Sequence, residues 1–320
     1  MLRRRIARQF LGATRAPDAV AVARRLGGIH AQVASSAAAA TALRTDSPGL
    51  DGLVRTWAAR GTLHHLPAGD LPVWVAAMST RTRETTGSWL KYHGVTAAQM
   101  QDIIRVTPQV LGAEPLTREE LADRIIAATG HSDLREPLVQ GFGAILKPLA
   151  FRGLLISGPP RGRNVTFVSP GALELPPVED AIDTLALAYL GAYGPADAAE
   201  FARWFDLKPP LAKKSFARIA DRLDDDGIPA GLAGEPLTDT VHLLPAFDPY
   251  VVGSLRQLDQ VSTGPRSAVS RPQGWISPTL VVDGRIEGVW REVDGVPHVE
   301  PFGALPARVR RALPPGTVVS

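Results

Sequence analysis

Apolar residues recur at helical spacing over 2–11, 17–26 and 33–44, and the pattern predicts three helices there. The second is framed by Pro17-Asp18 and Gly27-Gly28, residues that start and stop helices. Beyond Pro48-Gly49 the chain reads as a helical stretch ending at Arg60-Gly61, a short apolar run Thr62-Leu63-His64-His65-Leu66, and a helix from about Ala68. A second helix-rich unit opens near Thr96. Within it, Leu116-Thr117-Arg118-Glu119-Glu120-Leu121 carries a capping box, Thr117 at the cap and Glu120 three residues on, followed by a helix to about Ala128. A further helix over 137–150 leads into Gly153-Leu154-Leu155-Ile156-Ser157, the turn Gly158-Pro159-Pro160-Arg161-Gly162-Arg163, and Val165-Thr166-Phe167-Val168, a two-stranded hairpin. Three more helices repeat the theme: 179–192, one opened by Gly194-Pro195-Ala196-Asp197 and running to Trp204, and one through Lys213-Lys214-Ser215-Phe216 to about Leu223. From Val241 the texture becomes strand-like, and Leu280-Val281-Val282, Asp283-Gly284, then Ile286-Glu287-Gly288-Val289-Trp290 reads as a hairpin on a type I′ turn.

Helix, helix, helix, hairpin is the winged-helix order. The expected fold is α+β, mainly α, with about three tandem winged-helix units (1–95, 96–175 and 176–240) and a C-terminal β-rich segment, 241–320. The repeat is one of topology, without an accompanying sequence repeat.

Composition narrows the chemistry. With 320 residues, 45% of them hydrophobic, the chain can bury several cores, and no apolar run approaches the roughly 18–20 residues that span a bilayer. The basic start Met1-Leu2-Arg3-Arg4-Arg5 resembles a signal peptide, but Arg8, Gln9 and Arg15 interrupt the apolar stretch that should follow, so a cytoplasmic location is expected. The absence of cysteine excludes disulfides, thiolate metal sites and a thiol nucleophile. Lys91, Lys147, Lys208, Lys213 and Lys214 are the sole candidates for a Schiff base, and none lies in a catalytic-looking stretch. A net charge of +3 permits a polyanionic partner without requiring one. Phosphate-binding, dinucleotide, nucleophile-elbow and H-E-x-x-H signatures are all missing. His64-His65 are adjacent, but neighbours on a strand face opposite ways and cannot share a metal, so neither a metal nor a cofactor is expected. Asp224-Asp225-Asp226-Gly227 lacks the ligand spacing of a calcium loop.

Several blocks, in order along the chain, resemble one family. These are Arg24-Arg25-Leu26-Gly27-Gly28-Ile29-His30-Ala31-Gln32 with the Ala-rich helix to Leu43-Arg44; Thr56-Trp57-Ala58-Ala59-Arg60-Gly61-Thr62-Leu63-His64; Pro115 to Leu121; Gly158 to Arg163; Leu244-Pro245-Ala246-Phe247-Asp248; and Val282-Asp283-Gly284-Arg285. Together they are similar to the AlkZ-like winged-helix DNA glycosylases. That resemblance implies catalysis from a Q-Φ-Q or Q-Φ-D tripeptide, here His30-Ala31-Gln32 in an H-Φ-Q form. The Gln-first forms are associated with interstrand crosslinks and the H-Φ-Q form with bulky single-guanine adducts, so the expected partner is double-stranded DNA carrying an alkylated guanine, bound by a monomer. Alkylation at N7 makes guanine a good leaving group, so little more than a positioned water is needed: His30 as acceptor, Gln32 as orienter. Without a suitable lysine the product is an abasic site and an uncut strand. Read without the resemblance, His30 and Gln32 equally suit a helix-terminus pair satisfying loop amides.

Candidate DNA contacts are Arg60, Thr62 and His64 after Trp57, Arg161 and Arg163 at the hairpin tip, and Arg266, Arg271 and Gln273 before the last hairpin. Trp57 and Leu63 fit packing of the first wing equally well, and solvated turns account equally well for the arginine tips; an intercalated or flanking contact from the loop of Arg266 to Trp275 would suit a lesion reader, though Trp275 itself reads rather as core. Asp248 before Pro249 reads as a turn cap rather than a base. Two rivals remain open: a winged-helix regulator or lesion sensor without hydrolysis, and a scaffold whose arginines keep it in solution.

Overall fold

The computed structural model describes residues 1–140, 143–232 and 234–320. After helix α1 (Leu2–Arg8), the Asp18 carboxylate accepts the Ala21 amide at 2.7 Å to cap α2 (Ala19–Leu26), and Gly27 ends it at φ +61°. Strand β1 (Ile29–His30) and helix α3 (Ala34–Ala42) follow. The helix expected before Arg60-Gly61 is instead strand β2 (Leu53–Trp57), and only Ala59–Gly61 is wound, as a single 3₁₀ turn. Leu53-Val54-Arg55-Thr56-Trp57 is rich in β-branched and aromatic residues, and it pairs with β3 (Leu63–Pro67) along its whole length. β1 joins the opposite edge, giving the order β1-β3-β2. Helices α4 (Leu71–Met78) and α5 (Gly87–Tyr92) complete this part.

Helix α6 (Ala97–Val110) begins on a capping box of Thr96 and Gln99, and after β4 (Leu116–Thr117) the expected Thr117–Glu120 box opens α7 (Arg118–Thr129). The single helix expected over 137–150 is replaced by α8 (Arg135–Val139) and α9 (Lys147–Phe151); residues 141 and 142 lie outside the described ones. Between them Gly143 sits at φ +73° with the Trp57 ring 2.7 Å from where a Cβ would stand, a position only glycine fills without strain. Hairpin β5 (Ile156–Arg161) and β6 (Asn164–Val168) then pairs with β4 in the order β4-β6-β5, the topology of the first sheet repeated. Trp57 stacks on Phe167 at 5.9 Å, and one hydrophobic core runs through both sheets and on to Ile219.

Helices α10 (Val178–Tyr193), α11 (Ala198–Phe205) and α12 (Pro209–Arg218) add an aromatic layer of Tyr189, Tyr193, Phe201 and Trp204. Among the described residues no hairpin follows α12, only a bridge between Leu223 and Pro229. The last segment runs β7 (Val241–Leu244), short helices α13 (Pro249–Gly253), α14 (Leu258–Val261) and α15 (Arg266–Val269), then β8 (Thr279–Val282), β9 (Arg285–Val293), β10 (Val296–Pro301), α16 (Ala307–Ala312) and β11 (Val318–Val319). Its five strands are ordered β11-β10-β9-β8-β7, with Asp283 and Gly284 both at positive φ in the β8–β9 turn. Ile6 and Leu11 bury into the core of this segment with Leu244, Tyr250 and Ile286, so α1 packs with the end of the chain rather than with its sequence neighbours. Among the described residues, no helix is long and apolar enough to cross a membrane.

One ion pair ties the segments together. Arg44, just beyond α3, meets Asp248 side on, Nη1 to Oδ2 at 2.9 Å and Nη2 to Oδ1 at 2.7 Å, with both side chains fully buried. Arg44 also donates to the Ala40 carbonyl at 2.8 Å, and Asp248 caps α13 by accepting the Tyr250 amide at 2.8 Å. Removing one partner leaves the other charge buried and uncompensated, so Asp248→Ala is expected to lose about 3–5 kcal/mol in urea unfolding. An Arg44→Met, Asp248→Leu double variant should regain part of that loss, because it also removes the desolvation cost. An unchanged urea midpoint for the single variant would contradict this account.

Candidate active site

The tripeptide His30-Ala31-Gln32 leaves a tight turn. Gly28, at φ +89°, brings the backbone so close to β3 that a Cβ there would stand 2.8 Å from Leu66. His30 is consequently paired in register with His64, and the Ala31 amide donates to the Leu63 carbonyl at 2.7 Å. Past the strand the chain turns outward: the Gln32 side chain is exposed, and its Oε1 accepts the Leu63 amide at 3.5 Å, the long limit of such a bond.

His30 itself is buried, 5% exposed, and enclosed by rings. Phe247 lies flat against it, centroids 5.1 Å apart and planes within 5°, while His64 meets it edge-on at 5.3 Å. Phe247 holds this place at φ +58°, directly before the buried Asp248, and the strand end leading towards it is held by Trp290, whose Nε1 donates to the Leu244 carbonyl at 2.8 Å. Burial, with a smaller push from the Arg60 charge, lowers the His30 pKa to about 4. His30 Nδ1 is buried without a hydrogen-bond partner among the described residues. His64 is driven well below its ordinary value by burial and then by His30 and Arg60. Its Nδ1 lies 2.9 Å from the Thr62 carbonyl, which can only accept, so Nδ1 carries the proton and Nε2 is left as an acceptor. Two adjoining imidazoles are thus neutral at pH 7.

The expected DNA contacts separate into groups. Arg60 turns inward, at φ +55°, and donates to the Trp204 carbonyl at 2.7 Å at the C-terminal end of α11. It forms one wall of a cleft of about 910 Å³ shared with Arg81, Lys147, Trp89 and Tyr92. The Thr62 hydroxyl closes its own turn by donating to the Ala59 carbonyl at 2.9 Å. Arg161 is paired with Glu120 at 2.6 Å on the second sheet, and Arg163 is exposed beyond it. Arg266 donates to the Leu255 carbonyl at 2.6 Å from an otherwise exposed side chain, and Arg271 and Gln273 are exposed. The structure therefore brings His30, Gln32 and His64 together with Arg60 adjacent, and leaves Arg161 and Arg163 on a separate surface. Trp275, read as core, is 45% exposed, its ring edge against Phe247 at 5.0 Å. Phe247, Arg44 and the buried Arg81 were missed as parts of this site, although Arg44 closes one of the family-like blocks and Phe247 lies in another. Among the described residues no three potential metal ligands gather.

Comparison with known proteins gives a consistent picture. The family model described as "DNA glycosylase AlkZ-like" matches residues 23–314. An "Interstrand DNA cross-link repair glycosylase" from Streptomyces sahachiroi is 37% identical over 329 residues, covering 93% of this chain and 88% of its own. The solved structure of "Streptomyces sahachiroi DNA glycosylase AlkZ" superposes with a TM-score of 0.87 at 36% identity, covering 100% of this chain and 97% of that one.

The burial of His30 has a measurable consequence. The folded chain takes up that proton only near pH 4, whereas an unfolded histidine takes it up near 6.5, so the unfolded state holds more protons in between and stability falls as pH drops through that window. In an NMR titration the His30 ring signals are expected to move with a midpoint near 4. A midpoint near the 6.5 of an ordinary histidine would show that the ring is solvated.

Proposed function

The chain belongs to the AlkZ-like DNA glycosylase family, and on that premise we propose that it hydrolyses the bond between deoxyribose and a bulky N7-alkylguanine in double-stranded DNA. The observation that carries the reading is the neutral, ring-enclosed His30 beside Gln32. Alkylation puts a positive charge on the base, and departure of the base leaves an oxocarbenium-like sugar. A protonated imidazole would repel both; an imidazole with a pKa of about 4 does not, and still hydrogen-bonds the attacking water. Water adds to C1′ as the C1′–N9 bond breaks, the bonding pair passes into the purine and cancels its charge, and the water proton goes through His30 to solvent. The Gln32 amide, free to swing at the surface, orients the water and presents its carbonyl to the sugar. The product is an abasic site in an uncut strand.

The Streptomyces sahachiroi relative is named for cross-link repair. For this chain we infer single-guanine adducts, because histidine stands first in its tripeptide. We read the two like-ordered sheets, with their helices, as winged-helix units over 1–95 and 96–175, and 176–240 as a third unit lacking its wing, followed by the β-rich 241–320. In this reading a monomer binds the duplex, with Arg163, Arg266, Arg271 and Gln273 on its phosphates and Arg60 and Thr62 shaping the turn behind the site. Arg161 reaches phosphate by exchanging its exposed Glu120 partner, at little cost.

The test is single-turnover base release, without added metal or cofactor, from a duplex with one bulky N7-guanine adduct, abasic sites being revealed by alkali. His30→Ala and Gln32→Ala are each expected to slow release by about 10²–10⁴-fold while duplex affinity holds. Failure of the wild-type chain to release N7-alkylguanines of any size would overturn the reading.

A further inference from the structure

Of the six tryptophans, Trp57, Trp74 and Trp204 are buried, and Trp275 alone is an exposed one, at 45%. An indole has a large apolar face and gains from a flat partner, and this one stands a single ring away from His30. It meets Phe247 in a T-shaped contact at 5.0 Å and 79°, and Phe247 in turn is stacked in parallel on the His30 ring. Trp275 is therefore an exposed ring one neighbour removed from His30, beside which, on the reading above, the sugar and base of the lesion sit.

The turn that bears it is closed tightly. The Arg271 amide donates to the Trp275 carbonyl at 2.8 Å, Ser270 bridges to Ile276, and the Ser277 hydroxyl donates to the Ala268 carbonyl at 2.8 Å. Gln273 adopts φ +62° at the apex, and a side chain added at Gly274 would meet nothing within 4 Å, so the apex faces open space. A rigid backbone with an open apex pre-orders the indole, and little conformational freedom is lost when a ring stacks on it. The exposed Arg271 and Gln273 on the same turn are placed to hold backbone phosphates beside such a stack.

We propose that Trp275, braced through Phe247 against His30, is the specificity-determining residue that favours N7 adducts bearing a flat polycyclic ring system over small alkyl groups, by stacking its indole on those rings. The proposal rests on the function inferred above, because it places the adduct beside His30. A methyl group offers no π-face and gains nothing from the indole, whereas a fused ring system gains a whole face.

The test measures equilibrium affinity for two duplexes, one carrying an intercalator-type polycyclic N7-guanine adduct and one carrying N7-methylguanine, in a Gln32→Ala background that keeps the adducts intact without touching Phe247. The preference, the ratio of the two Kd values, is expected to fall about tenfold with Trp275→Ala and to be largely kept with Trp275→Phe, in line with one stacked ring. Quenching of tryptophan fluorescence by the polycyclic duplex should disappear in both variants. A preference unchanged in Trp275→Ala, or an equal weakening on both duplexes, as a general wedge between base pairs would give, overturns the proposal. Base release by the wild-type chain from the same polycyclic duplex is scored separately: a preference that depends on Trp275 without release sustains this proposal and sinks the hydrolytic one.

Discussion

The buried pairing of Arg44 with Asp248 joins two stretches of chain 204 residues apart and fixes how their apolar and aromatic contacts meet. Arg44 lies at the end of the helix that follows His30-Ala31-Gln32, and Asp248 follows the ring that covers His30. Two charges in a dry interior are tolerable only as a pair, so the geometry is close to all-or-none: either the guanidinium and carboxylate dock face to face or the segments stay apart. Once docked, the carboxylate caps α13 and the residue before it is thrown into the left-handed region, a conformation costing on the order of 1–3 kcal/mol that persists because its surroundings over-determine it. The placement of the Phe247 ring follows from that constraint.

The electrostatics around the tripeptide rest on the same dryness. Burial depresses the two imidazoles first, and Arg60 adds to it at both and Arg81 at His64; these guanidiniums spend their donors on backbone carbonyls, Arg60 on Trp204 and Arg81 on Ala58 and Phe205, with the Asp206 carboxylate acting on both from nearby. The last turn of α11 supplies the negative end of a helix dipole, and the carboxylate of its capping residue Asp206 adds to it, which accounts for the cations gathering there. The result is a dry setting in which the nearest charges are guanidiniums and the adjoining imidazoles stay uncharged.

Much of this was legible in the sequence, wherever the signal was local. Asp18, Thr117 and Asp197 announce helix starts because a short side chain can reach an orphan amide two or three residues on, and Asp283-Gly284 announces its hairpin for an equally local reason. The tripeptide was legible through resemblance alone; nothing in the spacing of His30 and Gln32 separates catalysis from capping. The failures were non-local. Leu53 to Trp57 became a strand because β3 was there to pair with it, and the helix expected over 137–150 stops at Val139, with Gln140 extended and Gly143 left-handed against the Trp57 ring, where no side chain fits. Phe247, Arg44 and Trp275 acquire meaning only when the last segment folds over the first, a juxtaposition that no window of a dozen residues contains.

That return of the chain upon itself also orders events in time. A ribosome delivers His30 first and Phe247 more than two hundred residues later, an interval on the order of tens of seconds at ordinary elongation rates. Until then α1 has no core to enter, Arg44 has no counter-ion, and His30 is an open, protonatable side chain like that of any peptide. A nascent chain interrupted before Phe247 therefore carries the whole tripeptide without its environment, and the site comes into being only as the final segment of the polypeptide closes over its beginning.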